Sequence, residues 1–119
     1  MNRLEGLINP RPFFGDMPNS LRVMESRLNW VETTNGPRIY VVGMLTNLST
    51  IAWKDVEIQC RFFDTNGVMV DAAYPRAWLT ILPHGDAAFR GVVTPGRAEE
   101  DYHALKATVS SARNALTRF

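Results

Sequence analysis

Two histidines, one cysteine and a short acidic run are the residues of this chain whose chemistry could reach beyond packing. His84 lies in the turn-like Pro83-His84-Gly85, and His103 follows Glu99-Glu100-Asp101. A metal site would have to join one imidazole to carboxylates such as Asp86, Glu99, Glu100 and Asp101. Zinc asks for about four ligands, mostly nitrogen or sulfur, at short spacing, and calcium asks for oxygen ligands on alternate positions. Neither spacing is written here, so the acidic run reads as a solvated loop and His84 as a turn residue. Cys60 sits in an alternating pattern with no His or second Cys beside it, which suits a small buried side chain better than a nucleophile. The sequence holds no Gly-x-Ser-x-Gly elbow, Cys-x-x-Cys, His-Glu-x-x-His or Gly-rich phosphate loop. The other carboxylates fall on outward strand phases or in turns, where a pair does not converge in a cleft as hydrolysis requires. The expectation is a non-catalytic protein with no cofactor and no metal.

The second kind of chemistry open to these residues is contact. Of the three tryptophans, Trp30 is expected to face the core. Trp53 shares its alternating phase with Asp55, Glu57, Gln59, Arg61 and Phe63 and is expected to point outward, while the pattern leaves the phase of Trp78 open. An aromatic on a polar face can cap the edge of a sheet, but aromatic anchors rimmed by charge are also what protein interfaces use. Phe13, Phe14, Trp53, Phe63 and Trp78 are therefore the candidate partner-binding residues. They suit a protein partner or a second copy of the chain. A groove lined by Trp53, Tyr74 and Trp78 would instead suit a carbohydrate or small ligand.

The elements that must position these groups are short and turn-punctuated. Residues 1 to 20 contain three of the seven prolines, which cannot donate to a helix or sheet ladder, and read as an extended arm. From Leu21 to about residue 112 the chain runs in apolar, β-branched and aromatic stretches separated by Gly, Pro, Asn and Asp, and about seven strands are expected. Leu21 and Val23 follow one phase, and Met24, Leu28 and Trp30 the other, which one bulge near Met24 would reconcile. Thr34-Asn35-Gly36-Pro37 is a turn. Ile39 to Leu45 is apolar in both phases and predicts a central strand covered on both sides. Val56, Ile58, Cys60 and Phe62 alternate with polar residues, then Asp64-Thr65-Asn66-Gly67 predicts a hairpin turn. Strands are expected over 68–73, 77–82, 87–93 and 102–110. Residues 113–119 form a tail. Turns recurring every 8 to 12 residues, roughly the spacing in sandwiches, predict an all-β, immunoglobulin-like sandwich of antiparallel strands. Its expected core includes Val41, Leu45, Val56, Ile58, Cys60, Phe62, Phe89 and Val109.

Composition bounds the partners. A chain of 119 residues with 45% hydrophobic and 21% charged side chains can bury one core without disulfides. A net charge of +1 offers no field to steer a polyanion, so nucleic acid is not an expected partner. No stretch approaches the roughly 18 apolar residues of a membrane span, and the first residues hold no signal-peptide core. A membrane is expected to be reached only through an anchor absent from this chain, and the compartment is left open.

Val42-Gly43, Asn47, Trp53-Lys54-Asp55-Val56, Phe62-Phe63-Asp64, Gly67 and Leu82-Pro83-His84-Gly85 with Phe89 resemble the FxLYD domain, an immunoglobulin-like module of bacterial proteins. The naming motif falls on Cys60 to Asp64, with Cys60 in place of Phe and Phe62-Phe63 in place of Leu-Tyr, and the likeness covers about residues 21 to 110. The pattern is also similar to the water-stress domain of late-embryogenesis-abundant proteins, which shares the Gly-x-x-x-Asn strand ending. The resemblance implies a sandwich fold and an accessory, non-catalytic role.

Overall fold

Alternating side chains drive the chain into two antiparallel sheets, and the computed structural model describes residues 20–116 of it. Phe13 and Phe14, and the readings made for the arm and the last three residues, lie outside the described residues. The first sheet has the order β1-β2-β6, where β1 is Leu21–Thr33, β2 is Gly36–Asn47 and β6 is Asp86–Val93. β1 and β2 meet at Thr33↔Gly36. The positive φ of Gly36, 102°, lets the chain reverse there, and the Thr33 hydroxyl donates to the Gly36 carbonyl at 2.6 Å. The register then steps from Glu25↔Met44 to Val23↔Leu45, leaving Met24 unpaired. This bulge brings Leu21, Val23, Leu28 and Trp30 onto one face, as the phase break in the sequence requires.

The second sheet is built around β3, Trp53–Phe63. One edge of β3 carries β7, Ala104–Asn114, over its whole length. The other edge is shared: β4, Met69–Ala73, pairs with Cys60 to Phe63, and β5, Arg76–Ile81, pairs with Trp53 to Glu57. Tyr74 and Pro75 make the break between them, yet the Pro75 carbonyl still accepts from Ile58 N–H at 3.0 Å, so the ladder is not interrupted there. The β3–β4 turn forms as its residues predict. Asp64 Oδ1 accepts from Asn66 N at 2.9 Å and Val68 N at 3.0 Å, and Gly67 takes a φ of 78°.

Between the sheets lie Ile39, Val41 and Leu45 of β2, Val56, Ile58, Cys60 and Phe62 of β3, Ala77 and Ile81 of β5, and Phe89 and Val93 of β6, all buried. Val109 and Trp30, expected in the core, are half-buried and pack against it. Tyr102, just ahead of β7, closes one end. Its ring meets Phe62 edge-on at 5.3 Å and Trp30 at 5.8 Å, and its hydroxyl donates to Asp71 Oδ2 at 2.6 Å while accepting from Gly96 N at 3.0 Å and Arg97 N at 3.2 Å. A tyrosine hydroxyl bonded to backbone a few residues upstream, at the crossing between two strands of opposite sheets, has the geometry of a tyrosine corner and pins this end of the sandwich. The fully buried Asn47 ties the other end. Its amide nitrogen lies within 3.2 Å of the carbonyls of Ile51, Ile81 and Leu82, and its oxygen accepts from Ser49 N at 2.9 Å.

Two expectations change. β2 is not covered on both sides among the described residues: Ile39, Val41 and Leu45 are buried, whereas Tyr40, Val42 and Met44 are only half-buried on the outer face. Strand Arg90 supplies part of their cover, its guanidinium lying 5.0 Å from the Tyr40 ring centroid. β7 also continues to Asn114, past the expected end of the sandwich, because Trp53 at the start of β3 pairs with it there.

Candidate functional site

The outer face of the four-stranded sheet gathers the polar and aromatic side chains that the core excludes. Glu57, Gln59 and Arg61 project from β3, Arg76 and Trp78 from β5, Thr108 and Ser110 from β7, and Tyr74 stands at the β4–β5 break. They form a connected layer. The Ser110 hydroxyl donates to Glu57 Oε1 at 2.7 Å, and Arg76 Nη2 lies 3.7 Å from Glu57 Oε2. Arg76 Nη1 donates to the Asp55 carbonyl at 3.0 Å, and its guanidinium carbon lies 5.5 Å from the Trp78 ring centroid. Further along β3, Gln59 donates to the Tyr74 hydroxyl at 3.2 Å and accepts from Arg61 Nη2 at 3.2 Å. Glu57 lies beneath this layer, only 7% exposed, which corrects the expectation of a solvated outward carboxylate. The Ser110 hydroxyl and the Arg76 guanidinium give this buried carboxylate polar partners in place of the water it has lost.

The five candidate contact residues do not converge. Trp78 is on this face and is 76% exposed. Trp53 is not: it is 7% exposed and belongs to the core, correcting its outward assignment. The cause is a bulge at Asp55, whose φ is 51°, with the pairing of β3 to β5 slipping between Lys54 and Val56. One extra residue reverses the phase of everything before it, so Trp53 turns inward and its indole N–H donates to Ser49 Oγ at 3.2 Å. Phe63 is half-buried at the far end of β3, where it pairs with Met69 and Ala104. It is seven residues from Val56, the partner of Ala77, or about 23 Å along a strand. Phe13 and Phe14 lie outside the described residues. With Trp53 inside, the groove of Trp53, Tyr74 and Trp78 does not form.

An open depression of about 430 Å³ lies elsewhere, beside the β1 bulge, lined by Glu25, Ser26, Arg27, Val42 and Gly43. It contains no aromatic platform. His84 and His103 are exposed in loops, and among the described residues no group of three or more His, Cys, Asp or Glu is placed to hold a metal ion. No helix among the described residues is long and apolar enough to cross a membrane. Cys60 is fully buried, and burial pushes its thiol from 9.0 to about 11. Compared with protein-family models, curated proteins and solved structures, the chain matches none of them.

The residues that sequence reasoning missed are the supports of this face. Arg76, Glu57 and Ser110 come from three strands, and Ser110 lies 53 positions from Glu57. Only the strand pairing brings them together.

Proposed function

We propose that this chain is a non-catalytic protein-interaction module, and that the outer face of the four-stranded sheet, anchored on Trp78, is its contact surface. The observation that carries the reading is Trp78 itself, 76% exposed beside an Arg76 that is held by Asp55 and Glu57. A large aromatic left in water on a regular strand, next to a guanidinium already fixed in place, loses little freedom on docking and gains much by desolvation. The surrounding Gln59, Arg61 and Thr108 supply the polar rim of such an interface. The face is a sheet surface without the aromatic groove a carbohydrate would need, which favours a protein partner, including a second copy of the chain. The resemblance to the FxLYD domain is in keeping with an accessory role of this kind.

The test is site-specific photo-crosslinking in the native host, with a benzophenone amino acid placed at Trp78 or at the exposed Val92 on the opposite sheet. Adducts are expected from position 78 and not from position 92, with an adduct of twice the chain mass identifying self-association. Adducts from position 92 alone, or equally from both, would contradict the assignment.

A further inference from the structure

We propose that the end of the sandwich carrying Leu48, Ile51, Leu82 and Leu116 is a docking seat for residues 1 to 19 of the same chain. These four aliphatic side chains are 54, 40, 65 and 88% exposed. The backbone gathers them at one place. The Asn47 amide donates to the Ile51 carbonyl at 2.8 Å and the Leu82 carbonyl at 3.0 Å. His84 N–H donates to the Ser49 carbonyl at 3.2 Å, and Ala115 N–H to the Ala52 carbonyl at 2.9 Å, which brings the loops of Leu82 and Leu116 against the loop of Leu48 and Ile51. Exposed aliphatic side chains scattered singly need no explanation, but four at one end of a small domain leave apolar surface that water solvates poorly.

The point at which the arm leaves the fold selects the occupant. The Ser20 carbonyl accepts from Leu48 N–H at 2.9 Å, so the preceding residues depart from beside the patch. They include Leu4, Leu7, Ile8, Phe13 and Phe14, the apolar side chains that match it. Phe14 is six residues from Ser20, a reach of about 20 Å when extended, against a shortest molecular dimension of 24 Å. A segment tethered this closely acts at an effective concentration on the order of millimolar, which a free partner seldom equals. Pro10, Pro12 and Pro18 narrow the conformations open to the free segment, which lowers the entropy lost on docking. The seat lies at the loops and is separate from the outer sheet face of Trp78.

A double-mutant cycle on the full chain tests this, with Phe14→Ser and Leu82→Ser combined, unfolding measured in urea and mass by sedimentation. The two substitutions should be non-additive by about five-fold or more in the folding equilibrium constant, with the mass unchanged. Phe14→Ser paired with Trp78→Ser should be additive, which separates this seat from the proposed contact face. Phe14→Ser should also speed hydrogen exchange at Leu48 N–H several-fold. Additivity in both pairs with unchanged exchange overturns the docking. Non-additivity accompanied by a mass that halves in Phe14→Ser assigns the arm to a second copy and overturns the same-chain seat.

Discussion

Cys60 pairs with Ala73 on one side and Ala107 on the other, in the middle of the second sheet. Its position there has a pH signature. Burial holds the thiol protonated up to about 11, while the unfolded chain ionises near the ordinary value of 9.0. The folded state therefore keeps a proton that the unfolded state loses, so the stability tied to this group is complete below about pH 9 and falls away as pH rises to about 11. The loss is on the order of 2 to 3 kcal/mol. Tyr102 adds to the same alkaline slope at higher pH, since burial first, and then its hydrogen bond to Asp71, raise its phenol. Urea unfolding across pH 8 to 11 should show the decline, and Cys60→Ala should flatten its first part while leaving the tyrosine part. A thiol reagent should label native protein slowly and unfolded protein quickly, because only the thiolate reacts. Equal rates in both states would mean that the thiol is accessible and that the strand phase is misassigned. Ser111 is the opposite case among the described residues, a buried hydroxyl without a hydrogen-bond partner beside the irregular β3–β7 pairing at Glu57.

At the scale of elements, two bulges show why one part of the pattern was legible and another was not. The bulge at Met24 was readable because apolar residues stand on both sides of it in opposite phases, and only a slip puts Leu21, Val23, Leu28 and Trp30 on one face. The bulge at Asp55 left no such trace. Trp53 is the only large apolar residue ahead of it in the strand, and simple alternation places it with Glu57 and Gln59 without contradiction. The apolar outer phase of β2 misled for another reason: a half-buried sheet face tolerates Tyr40, Val42 and Met44 beside Arg90 without a third layer. Gly43 holds the first bulge in place. A Cβ there would collide with the Glu25 carbonyl oxygen and with the ring of its cross-strand partner Phe89. Neither is free to move, since one is backbone and the other is a core ring, 5% exposed. Gly43→Ala is therefore expected to cost about 1 to 3 kcal/mol, the usual range for overpacking. Gly67→Ala, strained only by its φ of 78° with nothing within 4 Å of the added carbon, should cost about 1 kcal/mol. Equal losses at the two positions would show that β1 yields to the added methyl and that the bulge is not held by close packing.

For the molecule as a whole, two tryptophans carry opposite demands. Trp53 stitches the sandwich: it starts β3, pairs with Ile81 of β5 and Asn114 of β7, and reaches Ser49 through its indole. Trp78, on the outside of β5, has only the Arg76 guanidinium stacked on it among the ring contacts described. The seven-strand architecture and most of the core could be read from periodicity, but the difference between these two rings could not, since it depends on one backbone slip and on strands far apart in sequence. Removing Trp53 leaves a core cavity and should cost about 3 to 5 kcal/mol for Trp53→Ala. Trp78→Ser forfeits only a surface cation–π contact and should cost no more than about 1 kcal/mol. Urea denaturation of both variants measures the contrast, and acrylamide quenching of the Trp53 variant, whose remaining rings are the half-buried Trp30 and the exposed Trp78, should exceed that of the Trp78 variant. A small loss at Trp78 is what the contact surface proposed above requires of its anchor, since a ring 76% exposed then adds little to the fold itself. If Trp78→Ser instead destabilised the chain as much as Trp53→Ala, the ring would be a structural cap on the sheet, and the contact surface proposed for it would lose its anchor.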